Sequence, residues 1–384
     1  MTRSEIGTAL VCALMLGHPA LSLARDGHGQ PAPSASAAVS SPSAASMQAP
    51  YPAPVEADFV ARDVRFDSGE VSPEIRLHYR TIGQPRKDPD GVVRNAVLIL
   101  HGTGGSGAGF VSDNYAGRLF GKGQLLDAER FYIILPDNIG HGRSSRPSDG
   151  LRMKFPQYRY ADMVRLQHRL VTEGLGLSHL HLIMGTSMGA MHSWMWGYMF
   201  PTFADGLVPL ASNPVEIAGR NRVWRKLLVD AIVTDPTWKD GNYTEPPRGM
   251  ASALGFLLLA TSVPLQWQKD FPTHEAADQW LAGQIATRTK TTDANDTIYH
   301  FRASEDYDPS SRLGEIVAPL LAINSADDFV NPPELPMMEA LIGQVKRGRF
   351  VLVPISDETR GHGTHSRPQV FGPYLADFLK EIAR

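Results

Sequence analysis

Cysteine is nearly absent: one residue of 384, Cys12, carries a thiol. It lies in the leader segment described below, so the remainder of the chain is expected to have no disulfide, no thiol nucleophile and no cysteine metal site. Blocks of like charge are missing too. Lys and Arg number 37 against 40 Asp and Glu, a net charge of −3, which argues against a nucleic-acid partner or a polybasic membrane anchor. No apolar run is long enough for stable membrane insertion. Ala9 to Leu16 is short, and Met250 to Ala260 is followed at once by Thr261, Ser262 and Pro264, whereas a spanning helix needs about 20 apolar residues. The His-Glu-x-x-His spacing of a zinc site and the Gly-Lys-Ser/Thr of a phosphate loop do not occur, so neither a metal nor a nucleotide cofactor is implied.

What is present divides the chain by composition. Arg3, the apolar Ala9–Leu16 stretch and the small residues of Ser22-Leu23-Ala24 have the form of a signal peptide over residues 1–24, implying export to the periplasm or beyond. Residues 25–55 are rich in Ala, Ser and Pro, too poor in bulky apolar groups to offset their ordering entropy, and read as a disordered linker. Ordered structure is expected to begin near Phe59. Ala96–Leu100, Tyr132–Leu135, Leu180–Met184, Pro319–Ile323 and Phe350–Val353 are continuous apolar runs, as in strands buried on both faces. Glu74–Arg80 alternates instead, as a half-buried strand does. Helical spacing links Met163, Leu166, Leu170 and Val171, with Gly174 as the expected cap. Strands alternating with helices predict an α/β fold with a mostly parallel central sheet flanked by helices. The alternation fails over residues 214–312, rich in Trp and Pro. The expected organisation is therefore a core in two parts, 56–213 and 313–384, with a helical cap inserted between them.

Gly185-Thr186-Ser187-Met188-Gly189 directly follows the apolar run ending at Met184 and opens a helical stretch. Gly-x-Ser-x-Gly between strand and helix is the nucleophile elbow of the α/β-hydrolase fold, where a sharp turn lifts the serine hydroxyl clear of the sheet. The glycine-rich His101–Gly107 turn follows the strand ending at Leu100, and the N–H groups of Thr103 and Met188 are the expected donors to an oxyanion. A hydroxyl needs a base, and the base a carboxylate to hold its tautomer. Chain order in this fold is Ser, acid, His. Asp327 and Asp328 follow one predicted strand and His362 and His365 another, so the residues alone leave both choices open. His141 precedes Ser187 and is expected to shape the site rim; His179, His181 and His192 are expected to be packing or surface residues.

The chain resembles the homoserine O-acetyltransferase family of α/β hydrolases from about Phe59 onward. The likeness is carried by Gly121–Asp127, Asp162–Gln167, Gly185–Met191 and, in the cap, Asp235-Pro236-Thr237-Trp238, Gly241-Asn242-Tyr243 and Pro247-Arg248-Gly249. The resemblance implies a Ser–Asp–His triad and an acyl-enzyme. It selects Asp328, four residues before Pro332, and His362, preceded by Gly361. The elbow departs from the transferase pattern at Thr186, Ala190 and His192, and Gly363 replaces an aspartate. With export expected as well, these departures favour a serine hydrolase that cleaves a carboxylic ester of a small molecule. An acyltransferase using an acyl-CoA donor is the alternative, and a non-catalytic binding protein on the same fold a second.

Overall fold

The computed structural model describes residues 50–383; the expected leader and residues 25–49 of the expected linker lie outside them. Eight strands form one sheet: β1 (Val55–Arg65), β2 (Val71–Ile82), β3 (Ala96–Leu100), β4 (Tyr132–Pro136), β5 (Leu180–Thr186), β6 (Ala204–Leu210), β7 (Leu320–Ser325) and β8 (Gly348–Val353). Their spatial order is β1-β2-β4-β3-β5-β6-β7-β8. The first two pairings are antiparallel and all the others parallel. Order begins earlier than Phe59, because Tyr51 packs its ring edge-on against Phe120 and β1 starts at Val55.

The helices are α1 (Ala116–Leu119), α2 (Tyr160–Arg169), α3 (Met188–Met199), α4 (Gly219–Val233), α5 (Gly249–Ala260), α6 (Pro264–Asp270), α7 (His274–Thr291), α8 (Ala294–Arg302), α9 (Met337–Leu341) and α10 (Pro368–Glu381). Successive side chains of a strand face opposite ways, and β3, in the middle of the sheet, is apolar at every position. Leu98 and Leu100 therefore enter one core layer with α2 and α3, while Val97 and Ile99 enter the other with α10. The first layer leaves no free face on α3, which is buried from Met188 to Tyr198. This is why the helix lacks an apolar stripe.

The expected cap at Gly174 is not observed. After α2 the chain makes a π-helical turn over Leu170–Gly174, and the left-handed glycine is Gly176, with φ +65°. The apolar Met250–Ala260 run is α5, which meets α6 at 110°. Between β6 and β7, helices α4 to α8 leave the sheet and build a core of their own from Leu228, Ile232, Trp238, Met250, Leu254 and Ile298. One contact of this insertion with the sheet domain is polar: Asp296 on α8 accepts from the Ser148 N–H at 2.8 Å and the Ser148 hydroxyl at 2.7 Å.

Candidate active site

Every candidate residue follows the C-terminal end of a parallel strand, where helices leave the sheet and a crevice opens. Ser187 comes directly after β5. Its φ of +53° and ψ of −111° lie where a side chain is strained. The two motif glycines make that bend possible. A Cβ at Gly185 would lie 2.0 Å from the Gly189 carbonyl oxygen, and one at Gly189 2.1 Å from that of Leu100. Neither position has room for any side chain.

The ends of β7 and β8 bring the other two residues to the serine. His362 Nε2 lies 2.8 Å from Ser187 Oγ, and Nδ1 lies 2.9 Å from Asp328 Oδ2. An ionised carboxylate only accepts, so Nδ1 carries the hydrogen and Nε2 presents a lone pair to the serine hydroxyl. Asp328 is itself held: Oδ1 accepts from the Val330 N–H at 2.7 Å, and Oδ2 from Asn331 Nδ2 at 3.0 Å. Burial alone would raise its pKa, but the facing His362 imidazole and these hydrogen bonds keep it below the usual carboxylate range.

The neighbouring candidates are engaged elsewhere. Asp327 accepts from Ser325 Oγ at 2.5 Å and from Thr359 Oγ1 at 2.8 Å. His365 Nδ1 lies 2.8 Å from Ser366 Oγ, and desolvation, with His362 beside it, pushes its pKa down to about 3. Neither reaches Ser187.

The glycine-rich turn after β3 abuts the serine so closely that a Cβ at Gly102 would lie 3.3 Å from Ser187 Cβ. Thr103 lines the same cavity as Ser187. Met188 is the first residue of α3, so its N–H belongs to the first-turn donors that lack an intrahelical partner. Behind the turn lies a buried polar network whose significance the sequence did not reveal. His101 Nδ1 donates to the Gly102 carbonyl at 2.9 Å, and Nε2 accepts from the Asn138 N–H at 3.1 Å. Gln167 Nε2 donates to Asn138 Oδ1 at 2.6 Å and lies 2.9 Å from His192 Nδ1, while Gln167 Oε1 accepts from Trp196 Nε1 at 2.8 Å. Desolvation lowers the pKa of His101 and pushes His192 down to about 3, so both rings stay neutral, as an accepting nitrogen must. His141 does not line the Ser187 cavity. It is buried, stacks on His300 at 3.8 Å and faces a second space under the cap.

The cavity above Ser187 has a volume of about 570 Å³ and runs between the sheet edge and the cap, whose Trp224, Arg225, Leu257 and Phe301 form its far wall. Arg225 is 4% exposed, with its guanidinium 5.0 Å from the Trp224 ring and 5.4 Å from that of Phe301. Its side chain donates to Asn221 Oδ1 at 2.8 Å and Ser304 Oγ at 3.4 Å. Among the described residues, no His, Cys, Asp or Glu cluster is arranged to hold a metal ion.

The alpha/beta hydrolase fold family model matches residues 95–351, a span that includes Ser187 and Asp328. The chain belongs to the α/β-hydrolase family. Within it this enzyme is homoserine O-acetyltransferase-like. It is 30% identical to the homoserine O-acetyltransferase of Carboxydothermus hydrogenoformans, over 84% of this chain and 94% of that one. The crystal structure of homoserine O-acetyltransferase from Bacillus anthracis superposes with a TM-score of 0.73 at 20% identity, over 85% and 97% of the two chains. An acetylester hydrolase from Corynebacterium glutamicum superposes equally well, with a TM-score of 0.72 at 21% identity over 85% and 95%. This α/β-hydrolase thus has both esterase and acyltransferase relatives.

Proposed function

We propose that this enzyme carries an acyl group on Ser187 and passes it to an alcohol. The observation that supports the covalent step is the continuous hydrogen-bonded line from Asp328 through His362 to Ser187. His362 Nε2 takes the serine proton as Oγ attacks the acyl carbonyl of an ester or thioester. The oxyanion that forms is met by the N–H groups of Thr103 and Met188. The carbonyl then re-forms, the bond to the leaving group breaks, and the imidazolium returns its proton to that group. In the second half the acceptor hydroxyl gives its proton to the same nitrogen while its oxygen attacks the acyl-serine ester. The proton then passes to Ser187 Oγ as it leaves.

The choice of acceptor draws on the relatives, which favour transfer over the hydrolysis expected from sequence alone. It also draws on Arg225. A buried guanidinium facing the cavity suits an acceptor that carries a carboxylate, as homoserine does. Hydrolysis is the second reading, and one observation favours it: among the described residues lining the cavity there is no Asp or Glu to receive an acceptor's ammonium group. Water needs no such partner. Purified enzyme given acetyl-CoA or p-nitrophenyl acetate, with and without homoserine, separates the two. The transfer reading expects O-acetylhomoserine and faster donor consumption when homoserine is added. Free acetate as the sole product, at a rate homoserine does not change, would assign the enzyme to hydrolysis.

A further inference from the structure

The cavity over Ser187 is charged with one sign. Arg225, Arg288, Arg360 and Arg367 line it with no carboxylate among the described lining residues, in a chain whose acids outnumber its Lys and Arg by 40 to 37. Arg225 lies deep in the cavity and is assigned above. The other three come from two separate elements. Arg288 is in the last turn of α7 in the cap. Arg360 and Arg367 stand at either end of the short helical turn Gly361–Ser366 that carries His362.

Local partners leave most of this charge uncompensated. Arg360 Nη1 donates to the backbone carbonyls of Asp357 and Thr359, both at 2.7 Å, and the one carboxylate that feels its charge, Asp357, is already paired with Lys269. Arg288 Nε donates to the neutral Gln284 Oε1 at 3.1 Å. Arg367 does reach a carboxylate, Glu358, but at 3.5 Å and with that side chain 66% exposed, a geometry of little strength. Like charges gathered around one opening repel unless an anion joins them. A guanidinium offers a planar fork that matches a carboxylate or phosphate in a way a bare acetyl group does not.

We infer that Arg360 and Arg367 are specificity-determining residues that hold an anionic group, a carboxylate or a phosphate, carried by the acyl substrate away from the bond that breaks. The inference rests on the acyl-enzyme reading of Ser187. Both arginines ride on the turn that positions His362, so an anion held there lies at a set offset from the catalytic nitrogen. Arg288 approaches the same opening from the cap, and an anion between them also ties cap to core.

Affinity measured on Ser187→Ala protein tests this without needing turnover. Two matched pairs distinguish the sources of negative charge: mono-p-nitrophenyl succinate against p-nitrophenyl pentanoate for a carboxylate, and S-acetyl-4′-phosphopantetheine against S-acetylpantetheine for phosphate. The anionic member of at least one pair should bind about tenfold more tightly at low salt, an advantage that shrinks with added NaCl. Adding Arg360→Gln and Arg367→Gln should remove most of that preference, whereas Arg62→Gln, on exposed β1, should keep it. Equal affinity within both pairs, or a preference that survives the double substitution in a protein with unchanged circular dichroism, would overturn the inference. Turnover of the neutral ester by the Ser187 enzyme tests the acyl-enzyme reading separately.

Discussion

At Asp328 both carboxylate oxygens are occupied: the Val330 N–H donates to one, while Asn331 and His362 approach the other. Asp327, one residue earlier, is spent on Ser325 and Thr359. Asp328→Asn should therefore lower kcat by about 10⁴-fold, since an amide there can favour the wrong imidazole tautomer. Asp327→Asn should act mainly on stability and leave kcat within about tenfold of the parent. His362→Ala and His365→Ala should divide the same way. Steady-state kinetics beside thermal melts on all four variants check the ranking; equal losses of kcat within either pair would contradict it. The acid and base were narrowed to these pairs by their place after predicted strands, and to one member each by the resemblance. Asn138, Gln167 and Trp196 carried no such signal. They are distant in sequence and meet His101 and His192 only once β4, α2 and α3 have packed. Arg225 was equally silent, an arginine in a helical stretch until the fold turned it inward.

Among the elements, the elbow is the most constrained. At Gly189 an added Cβ meets the Leu100 backbone rather than a side chain that could move aside. Gly189→Ala should cost about 2 kcal/mol or more in a denaturant titration, with β3 and the oxyanion turn displaced; a loss below about 0.5 kcal/mol would show that the turn relaxes cheaply. β6 escaped notice because Asp205, Gly206 and Pro209 interrupt its apolar pattern. The sheet accommodates the proline, which lacks a donor, by pairing β6 to β7 at Leu207 and Leu210. The α8 contact with Ser148 should respond to pH. Burial raises the Asp296 carboxyl to about 6 against the Ser148 hydrogen bonds, with Asp293 adding to the rise. A carboxyl whose folded pKa exceeds its unfolded value of about 3.9 stabilises the fold most when protonated in both states. Its contribution declines as pH climbs from the unfolded value through about 6. Asp296→Asn keeps an acceptor for Ser148 and loses that slope. Its Tm relative to wild type should therefore rise between pH 5 and pH 7.5; a gap independent of pH would mean that the carboxyl stays ionised throughout.

For the molecule as a whole, the strand ends of the sheet carry the proposed reacting groups and the cap walls the cavity above them. Strand ends of β3, β5, β7 and β8 converge on one side, and helices α4 to α8 cover it, leaving a cavity of about 570 Å³. The alternation of strands and helices made the mostly parallel sheet and its flanking helices legible. The character of the cavity was not legible, because its arginines come from three stretches of chain that pattern alone does not bring together. Whether water or an alcohol completes the reaction, the account requires the acyl group to rest on Ser187 first. Rapid acid quenching of the enzyme with excess p-nitrophenyl acetate, followed by intact-mass and peptide mass spectrometry, tests that requirement directly. The predicted result is one acetyl group per chain, located on the peptide at Ser187 and absent from Ser187→Ala protein. Acetyl on a different residue, or undiminished turnover by the folded Ser187→Ala variant, would contradict the account.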